Sequence, residues 1–401
     1  MNRIKHAAVW ASVASAGWIA GTSSGAADAA AGEPAADWRE LEAGALTGHV
    51  QLTFPEQFAR AGEAYFSPDG AWVIFQAIPA AAAGEAPATV YAMYVARLQR
   101  DERGAPTGLT GVMEVSPPGS ANTCGFFHPT ERGRIIFGST LTAPASKAPA
   151  GYQRGTSTYA WQFPTEMEVV TRMVVQVATG GAQLTEELLL PQGATDPTPL
   201  WRRDGYDAEC SYSVDGRFIV YTRVDPETLD PDLYVFDTKE GVHTPLVTEG
   251  GYDGGPFFSP DGRWICYRSD RAGDDNLQLF VAELEVDEDT GAIRGVARER
   301  QLTENGHVNW APFWHPGGSF LVYTTSEQGH ANYEVYAIDA RGEAKTPRTK
   351  RLTHAPGFDG LPAFDARGEW MMWTSQRGGK RAGEERASSQ LWVARVVNAE
   401  P

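Results

Sequence analysis

One phrase recurs six times along this chain and constrains the fold more than any other feature. It runs as two or three apolar residues, a tight polar turn, then an apolar run that ends in an aromatic. The copies are AYFSPDGAWVIF (Ala64–Phe75), GFFHPTERGRIIF (Gly125–Phe137), CSYSVDGRFIVY (Cys210–Tyr221), PFFSPDGRWICY (Pro256–Tyr267), PFWHPGGSFLVY (Pro312–Tyr323) and PAFDARGEWMMW (Pro362–Trp373). A repeat of this size is a single supersecondary unit used over and over, which cannot bury its apolar face alone. The fold follows from stacking the copies.

The repeat reads as a four-stranded antiparallel unit. A short apolar strand a leads into the turn, where proline presets φ, Asp accepts nearby backbone N–H groups and Gly takes the left-handed position. Strand b, such as Phe218–Tyr221, is continuously apolar, which implies cover on both faces. Strand c carries aromatic and β-branched residues, as at Val90–Val95, Leu233–Phe236, Leu277–Val281, Tyr333–Tyr336 and Leu391–Val393. Strand d ends on Leu-Thr or Val-Thr: Leu184-Thr185, Val247-Thr248, Leu302-Thr303 and Leu352-Thr353, with Val115-Ser116 a weaker version. The turn glycines Gly70, Gly133, Gly216, Gly262, Gly318 and Gly368 are 46 to 83 residues apart. Radial four-stranded repeats need about 40–50 residues. The two longest steps therefore carry insertions, one at Ile78–Ala88 with Gln99–Gly108, the other at Ser139–Tyr159.

The last repeat stops after its strand c, and a spare strand-d signal, His49–Thr53, precedes the first. A closed ring in which the N-terminal strand completes the last blade removes the free edges of an open array. The expected fold is all-β: a six-bladed β-propeller of four-stranded antiparallel blades. The aromatics ending strand b (Phe75, Phe137, Tyr221, Tyr267, Tyr323 and Trp373) are expected between blades, each burying roughly 150–250 Å².

Arg3 and Lys5, an apolar stretch over Ala7–Ala20 and a small-residue run at Gly25–Ala31 form the pattern of a secretory signal peptide. Residues 1–30 are thus expected to be a cleaved signal, 31–48 a linker and 49–398 the propeller. The expected location is the periplasm or the exterior. No later segment is apolar enough to span a bilayer, so a membrane-embedded protein is not expected. The formal net charge is −17, which argues against nucleic acid and anionic membranes as partners. Three cysteines, Cys124, Cys210 and Cys266, are too few for a disulfide-built scaffold.

These phrases resemble the TolB-like six-bladed propeller family, also described as PD40 or WD40-like repeats. The resemblance spans about Val50 to Val397 and is strongest over Tyr252–Arg271. It implies the propeller fold and a binding role toward an envelope protein. The periplasmic TolB protein also carries a separate α/β domain before its propeller; the stretch preceding His49 is too short for one, so contacts made through that domain are not expected here. Similar propellers occur fused to serine peptidases and as oligogalacturonate lyases.

Aligning the repeats three residues before the Pro256 position gives Ala61, Asn122, Asp207, Asp253, Asn309 and Asp359. Asx side chains brace turns by bonding backbone N–H groups. Near a channel mouth they also offer oxygens to a small polar molecule or to a hard cation such as Ca²⁺. The b–c loops, expected on the same face, hold Arg268, Arg271 and His330, and the d–a loops hold His307 and His354. His128 and His315 replace Ser in the a–b turns and read as turn residues. No HExxH, CxxC, P-loop or GxGxxG motif is present, and the GxSxG match at Gly21–Gly25 falls in the signal segment.

The leading expectation is a monomeric, exported, non-catalytic propeller. It would bind an envelope protein or a small polar ligand through Asn122, Asp207, Asp253, Asn309, Asp359, Arg268, Arg271, His307, His330 and His354, with no cofactor beyond a candidate Ca²⁺. The alternative is a lyase or hydrolase acting on an acidic saccharide or peptide through His307, His330 and His354 with Arg268 or Arg271, metal-assisted or not.

Overall fold

The computed structural model describes residues 37–82, 84–86, 88–145, 164–174, 196–274, 276–381, 384 and 386–401. The expected signal segment and the Leu184-Thr185 signal lie outside them. The described residues form one short helix, α1 (Trp38–Glu42), and six four-stranded antiparallel sheets. Blade 1 is β2 (Phe58–Phe66), β3 (Trp72–Pro79), β4 (Ala92–Arg100) and β5 (Pro106–Glu114). Blade 2 is β6 (Asn122–Phe127), β7 (Arg134–Ser139), β8 (Glu168–Met173) and β9 (Thr198–Pro199). Blade 3 is β10 (Tyr206–Tyr212), β11 (Phe218–Val224), β12 (Pro231–Asp237) and β13 (Val242–Val247). Blade 4 is β14 (Asp253–Phe258), β15 (Trp264–Ser269), β16 (Gln278–Val286) and β17 (Ile293–Gln301). Blade 5 is β18 (Asn309–Trp314), β19 (Phe320–Thr325), β20 (Glu334–Asp339) and β21 (Thr349–Arg351). Blade 6 is β22 (Asp359–Phe364), β23 (Trp370–Ser375), β24 (Gln390–Val396) and, from the other end of the chain, β1 (Leu46–Gln51).

Closure is as the spare signal implied. β1 pairs antiparallel with β24, from Leu46 opposite Val396 to Gln51 opposite Trp392. The Leu-Thr ending has a physical reason. Leu52, Leu302 and Leu352 are buried. The hydroxyls of Thr53, Thr303 and Thr353 accept the backbone N–H groups of Leu391, Leu279 and Val335 at 2.8–2.9 Å. Ser116 does the same for Met93 at 2.9 Å. One hydroxyl thus satisfies a third-strand donor that the outer strand has run past.

The a–b turns follow the same economy. In blade 4, Ser259 Oγ accepts from Trp264 N at 2.9 Å, Asp261 Oδ1 accepts from Arg263 N at 3.1 Å, and Gly262 has φ 68°. His128 and His315 stand at the serine's place and accept within the turn itself: His128 Nδ1 takes the N–H of Glu131 at 2.9 Å, and His315 Nδ1 takes that of Gly317 at 3.0 Å. Both are turn residues, as read from the sequence.

Phe75, Phe137, Tyr221, Tyr267, Tyr323 and Trp373 are all fully buried. The blade 1–blade 6 seam shows how they work. Phe75 lies among Phe58, Tyr94, Trp370, Met372 and Leu391 in one apolar cluster. Cys124, Cys210 and Cys266 are free thiols. No helix among the described residues is long and apolar enough to cross a membrane.

A half-buried histidine gives blade 3 a defined acid response. His243 Nδ1 lies 2.8 Å from the Tyr221 hydroxyl, and its ring stacks on Phe236 and meets Trp201 edge-on. Burial first, then the positive charges of Arg203 and Arg223, push its pKa down to about 4. The folded state therefore holds a neutral ring where the unfolded chain binds a proton below about pH 6.5. Its contribution is complete above pH 6.5 and is lost as pH falls toward 4. A ring titration followed by NMR is expected to show a midpoint near 4; a midpoint at 6 or above would contradict this placement.

Candidate functional site

The innermost strand of every blade makes the same irregularity. In β14 the register slips between Gly254, opposite Arg268, and Phe257, opposite Cys266. β2, β6, β10, β18 and β22 slip at the matching place. Each slip is a β-bulge whose first residue turns left-handed. The six are Glu63 (φ 45°), Cys124 (51°), Glu209 (53°), Gly255 (59°), Ala311 (51°) and Leu361 (55°). The left-handed conformation costs a non-glycine residue roughly 1–2 kcal/mol, so five of these positions are strained. Side chains of the preceding blade hold some of them. Glu63 N–H donates to Thr374 Oγ1 at 3.0 Å, Leu361 N–H to Thr324 Oγ1 at 2.9 Å, and Gly255 N–H to Glu209 Oε2 at 2.7 Å.

All six line one cavity of about 20 Å³ on the propeller axis. Two residues further along each strand, Tyr65, Phe126, Phe257 and Phe313 form an aromatic layer on the side of the a–b turns. Their ring centroids are 5.1–6.0 Å apart. The polar residues sit above that layer, toward the d–a and b–c loops.

Glu209 is the hub. Its carboxylate accepts from the Tyr252 hydroxyl at 2.8 Å, from Gly255 N–H, from Arg268 Nη2 at 3.0 Å and from Thr222 Oγ1 at 3.3 Å. Arg268 also donates to the Tyr252 hydroxyl at 2.7 Å. Arg268 stands where β19 and β23 carry Thr324 and Thr374, so blade 4 exchanges a hydroxyl for a guanidinium at the axis. The close approach needs glycine: a Cβ on Gly254 would meet the Tyr252 hydroxyl and Glu209, and one on Gly255 would meet the Arg268 guanidinium.

Across the cavity, Glu63 Oε1 accepts from the Cys124 thiol at 2.9 Å and from the Tyr65 hydroxyl at 3.5 Å. Burial raises the Glu63 pKa against the pull of the Cys124 hydrogen bond and of Arg268, and Glu209 raises it further. Burial and the two carboxylates push the Cys124 thiol far up, so it stays protonated and is a poor nucleophile.

The five aligned Asx residues are placed differently from the bulge ring. All are buried and bonded to protein groups. Asn122 Nδ2 donates to the Tyr91 and Ser120 carbonyls at 3.0 and 2.9 Å. Asp207 accepts from Trp201 Nε1 at 2.7 Å and from Arg223 at 3.1 Å. Asp253 pairs with Arg271 at 3.1 Å, and burial pushes its carboxyl up to about 7. Asn309 Nδ2 donates to Gln278 Oε1 at 3.1 Å and to Asn305 Oδ1 at 2.8 Å. Asp359 accepts from Trp373 Nε1 at 3.2 Å and from Arg377 at 2.8 Å. These side chains brace the d–a connections.

Of the remaining candidates, Arg268 lines the cavity. Arg271 bridges Asp253 and Glu299. His307 and His330 are exposed and His354 half-buried. The His330 ring faces the Tyr333 hydroxyl at 3.1 Å, while the backbone N–H groups of His307 and His354 bond Asn305 and Glu42. The three histidines thus answer to three separate partners, and none lines the cavity. Among the described residues no group of three or more His, Cys, Asp or Glu is placed to hold a metal ion.

Sequence reasoning missed Glu63, Cys124, Glu209 and Tyr252. The signal available was a charge inside an otherwise apolar strand phrase, as in Gly62-Glu-Ala-Tyr-Phe66, Ala208-Glu-Cys210 and Cys266-Tyr-Arg268.

No protein-family model matches the chain, and no curated protein matches it. Among solved structures it is similar to a protein assigned as TolB from Agrobacterium tumefaciens, with 15% identity and a TM-score of 0.46 over 84% of this chain and 90% of that one. It is similar to TolB from Acinetobacter baumannii, with 14% identity and a TM-score of 0.47 over 85% of this chain and 64% of that longer one. It is also similar to an oligogalacturonate lyase from Vibrio parahaemolyticus, with 13% identity and a TM-score of 0.42 over 88% and 94%. The propeller architecture rests on the strand pairing itself.

Proposed function

We propose that the chain is an exported, non-catalytic propeller that binds a small polar ligand, or a polar projection of an envelope protein, at the axial cavity on its d–a/b–c face. The observation that carries this reading is the Glu209–Arg268–Tyr252 hub with Glu63 at the centre of an otherwise apolar ring. Such charges are costly to bury, and the matching positions of the other blades hold hydroxyl, amide, small or apolar groups. Concave sites with a few convergent polar groups are where ligands bind. The non-catalytic part draws on the neutral Cys124 thiol and the dispersed histidines. Export to the periplasm or beyond draws on the basic-apolar-small pattern of the first 30 residues. A monomer of this acidity has little affinity for nucleic acid.

The test is thermal unfolding of the wild type, Arg268→Ala and Glu209→Gln against primary amines, carboxylates and acidic oligosaccharides. A ligand at about 100 times its Kd adds roughly 2.7 kcal/mol, a shift of several degrees. The expected result is one class that stabilises the wild type and loses that effect in at least one of the two variants. The reading fails if no class does so, or if the oligosaccharide is cleaved in a His330-dependent manner, which would favour the lyase or hydrolase alternative.

A further inference from the structure

The geometry points to a primary ammonium group, R–NH₃⁺ or NH₄⁺, as the ligand of the axial cavity, held by the Glu63 carboxylate beside the rings of Tyr65, Phe257 and Phe313. This rests on the channel-binding reading above and names its ligand class.

The first argument is charge. Of the two carboxylates at the cavity, Glu209 is already paired with Arg268 at 3.0 Å and takes three further donors. Glu63 is held by a thiol and a phenol, both neutral. The site therefore has one anion's worth of capacity left for a cation, placed on the side of the cavity away from the guanidinium's own partner.

The second argument is size. A site needs about 10–15 Å³ of such space to admit a water, and the cavity has about 20 Å³. That fits an ammonium head and favours it over a guanidinium, a quaternary ammonium or a sugar ring, each of which would have to displace the walls.

The third argument is the character of the walls. A desolvated cation is attracted to aromatic rings, and Tyr65, Phe257 and Phe313 all line the cavity. A hard metal cation requires a cage of oxygens, six to eight for Ca²⁺. Here one side offers rings, and no three-residue metal-binding group is present among the described residues. An ammonium head needs only a few acceptors and tolerates the rings.

Binding would also draw Glu63 into its charged form. Burial raises the Glu63 carboxyl above its ordinary range and a nearby cation lowers it again, so whatever proton Glu63 holds at the working pH leaves to solvent on binding. Binding and proton release are coupled, and the coupling has its own readout.

The experiment is titration calorimetry of the full protein at constant ionic strength and pH 7, in two buffers of different ionisation enthalpy. The probes are ammonium, methylammonium, butylammonium, tetramethylammonium, potassium and sodium. Ammonium and methylammonium are expected to bind with release of up to one proton. Potassium, close to ammonium in size but without N–H donors, and tetramethylammonium are expected not to bind. Binding of ammonium alone identifies the free ion; tighter binding of butylammonium identifies an amine whose chain leaves through the mouth. Glu63→Gln is expected to weaken binding at least tenfold and abolish proton release. Glu63→Gly, which suits the left-handed backbone, repeats the test should the glutamine variant not fold. Equal binding of potassium, unchanged binding in both variants, or no binding of any amine would overturn the inference. If amines fail while another polar class binds in an Arg268-dependent way, the ligand class falls and the channel reading stands. If nothing binds, both fall.

Discussion

Arg377→Ala is expected to lower the free energy of unfolding by about 3–5 kcal/mol, the cost of removing one partner from a buried ionic group. The guanidinium is wholly buried and meets two carboxylates that are equally buried. Nη1 and Nη2 donate to Glu42 at 2.9 and 3.1 Å, Nη2 also to Asp359 at 2.8 Å, and Nε to Ser375 Oγ at 3.0 Å. Its plane lies between Trp38 and Trp373, 4.2 and 4.8 Å from the ring centroids. Glu42 comes from α1 beside the N-terminal strand, whereas Asp359, Trp373 and Arg377 belong to blade 6. One side chain thus fastens the closing segment to the blade it completes. His49, 2.7 Å from Glu42, offsets part of the loss. Arg377→Lys is expected to rescue little, because an ammonium cannot fork to two carboxylates and stack between two rings. Urea unfolding measures the effect, and a cycle with Glu42→Gln isolates the pair. A loss below about 1 kcal/mol would show that the cluster relaxes or hydrates when broken.

Phe75→Ala is expected to cost about 3–5 kcal/mol as well, but by leaving a hole. Phe75 has no exposure; Tyr94 stacks on it at 5.6 Å and Phe58 meets it edge-on at 5.6 Å. The same cluster holds Trp370, Met372, Leu391 and Val393 of blade 6. The hole therefore opens in the seam between the first and last blades. Phe75→Leu, nearer in volume, should cost markedly less. The check is the denaturant midpoint at constant m-value; a near-equal loss for both variants would place the effect elsewhere than in packing.

The parts of the molecule that the sequence discloses are those repeated with a regular spacing. The strand-b aromatics, the Ser/His-Pro turns, the Leu-Thr endings and the spare strand before the first repeat each recur because every blade solves the same burial and hydrogen-bonding problem. The Asx column is equally regular, and its regularity marks bracing: Asp207, Asp253 and Asp359 each bond inside their own blade. The bulge column two residues later reads Glu, Cys, Glu, Gly, Ala and Leu. It has a constant backbone and no constant side chain, so alignment of the repeats passes over it. The left-handed backbone of Glu63 and Glu209 has no residue signal of its own, since nothing in an acidic side chain requires that conformation; only their charge within an apolar phrase stands out. α1 is hidden for another reason. Five residues give no periodicity, and its N-cap, Asp37, accepting from Arg39 N–H at 3.0 Å, sits in a stretch read as linker.

The closure of blade 6 sets the order of events as the chain is made. Leu391 N–H bonds Thr53 Oγ1 across 338 residues of sequence. A nascent chain therefore carries β1 from the outset and cannot place it until the last blade has emerged. Closing so long a loop adds little free-energy cost, because that cost grows only logarithmically. It does delay completion, because distant pairings slow folding. Until β24 arrives, the outer edge of blade 6 and the seam around Phe75 stay open to chaperones and proteases. The final zip of the first strand onto the last is then the step that distinguishes a finished molecule from one still under surveillance.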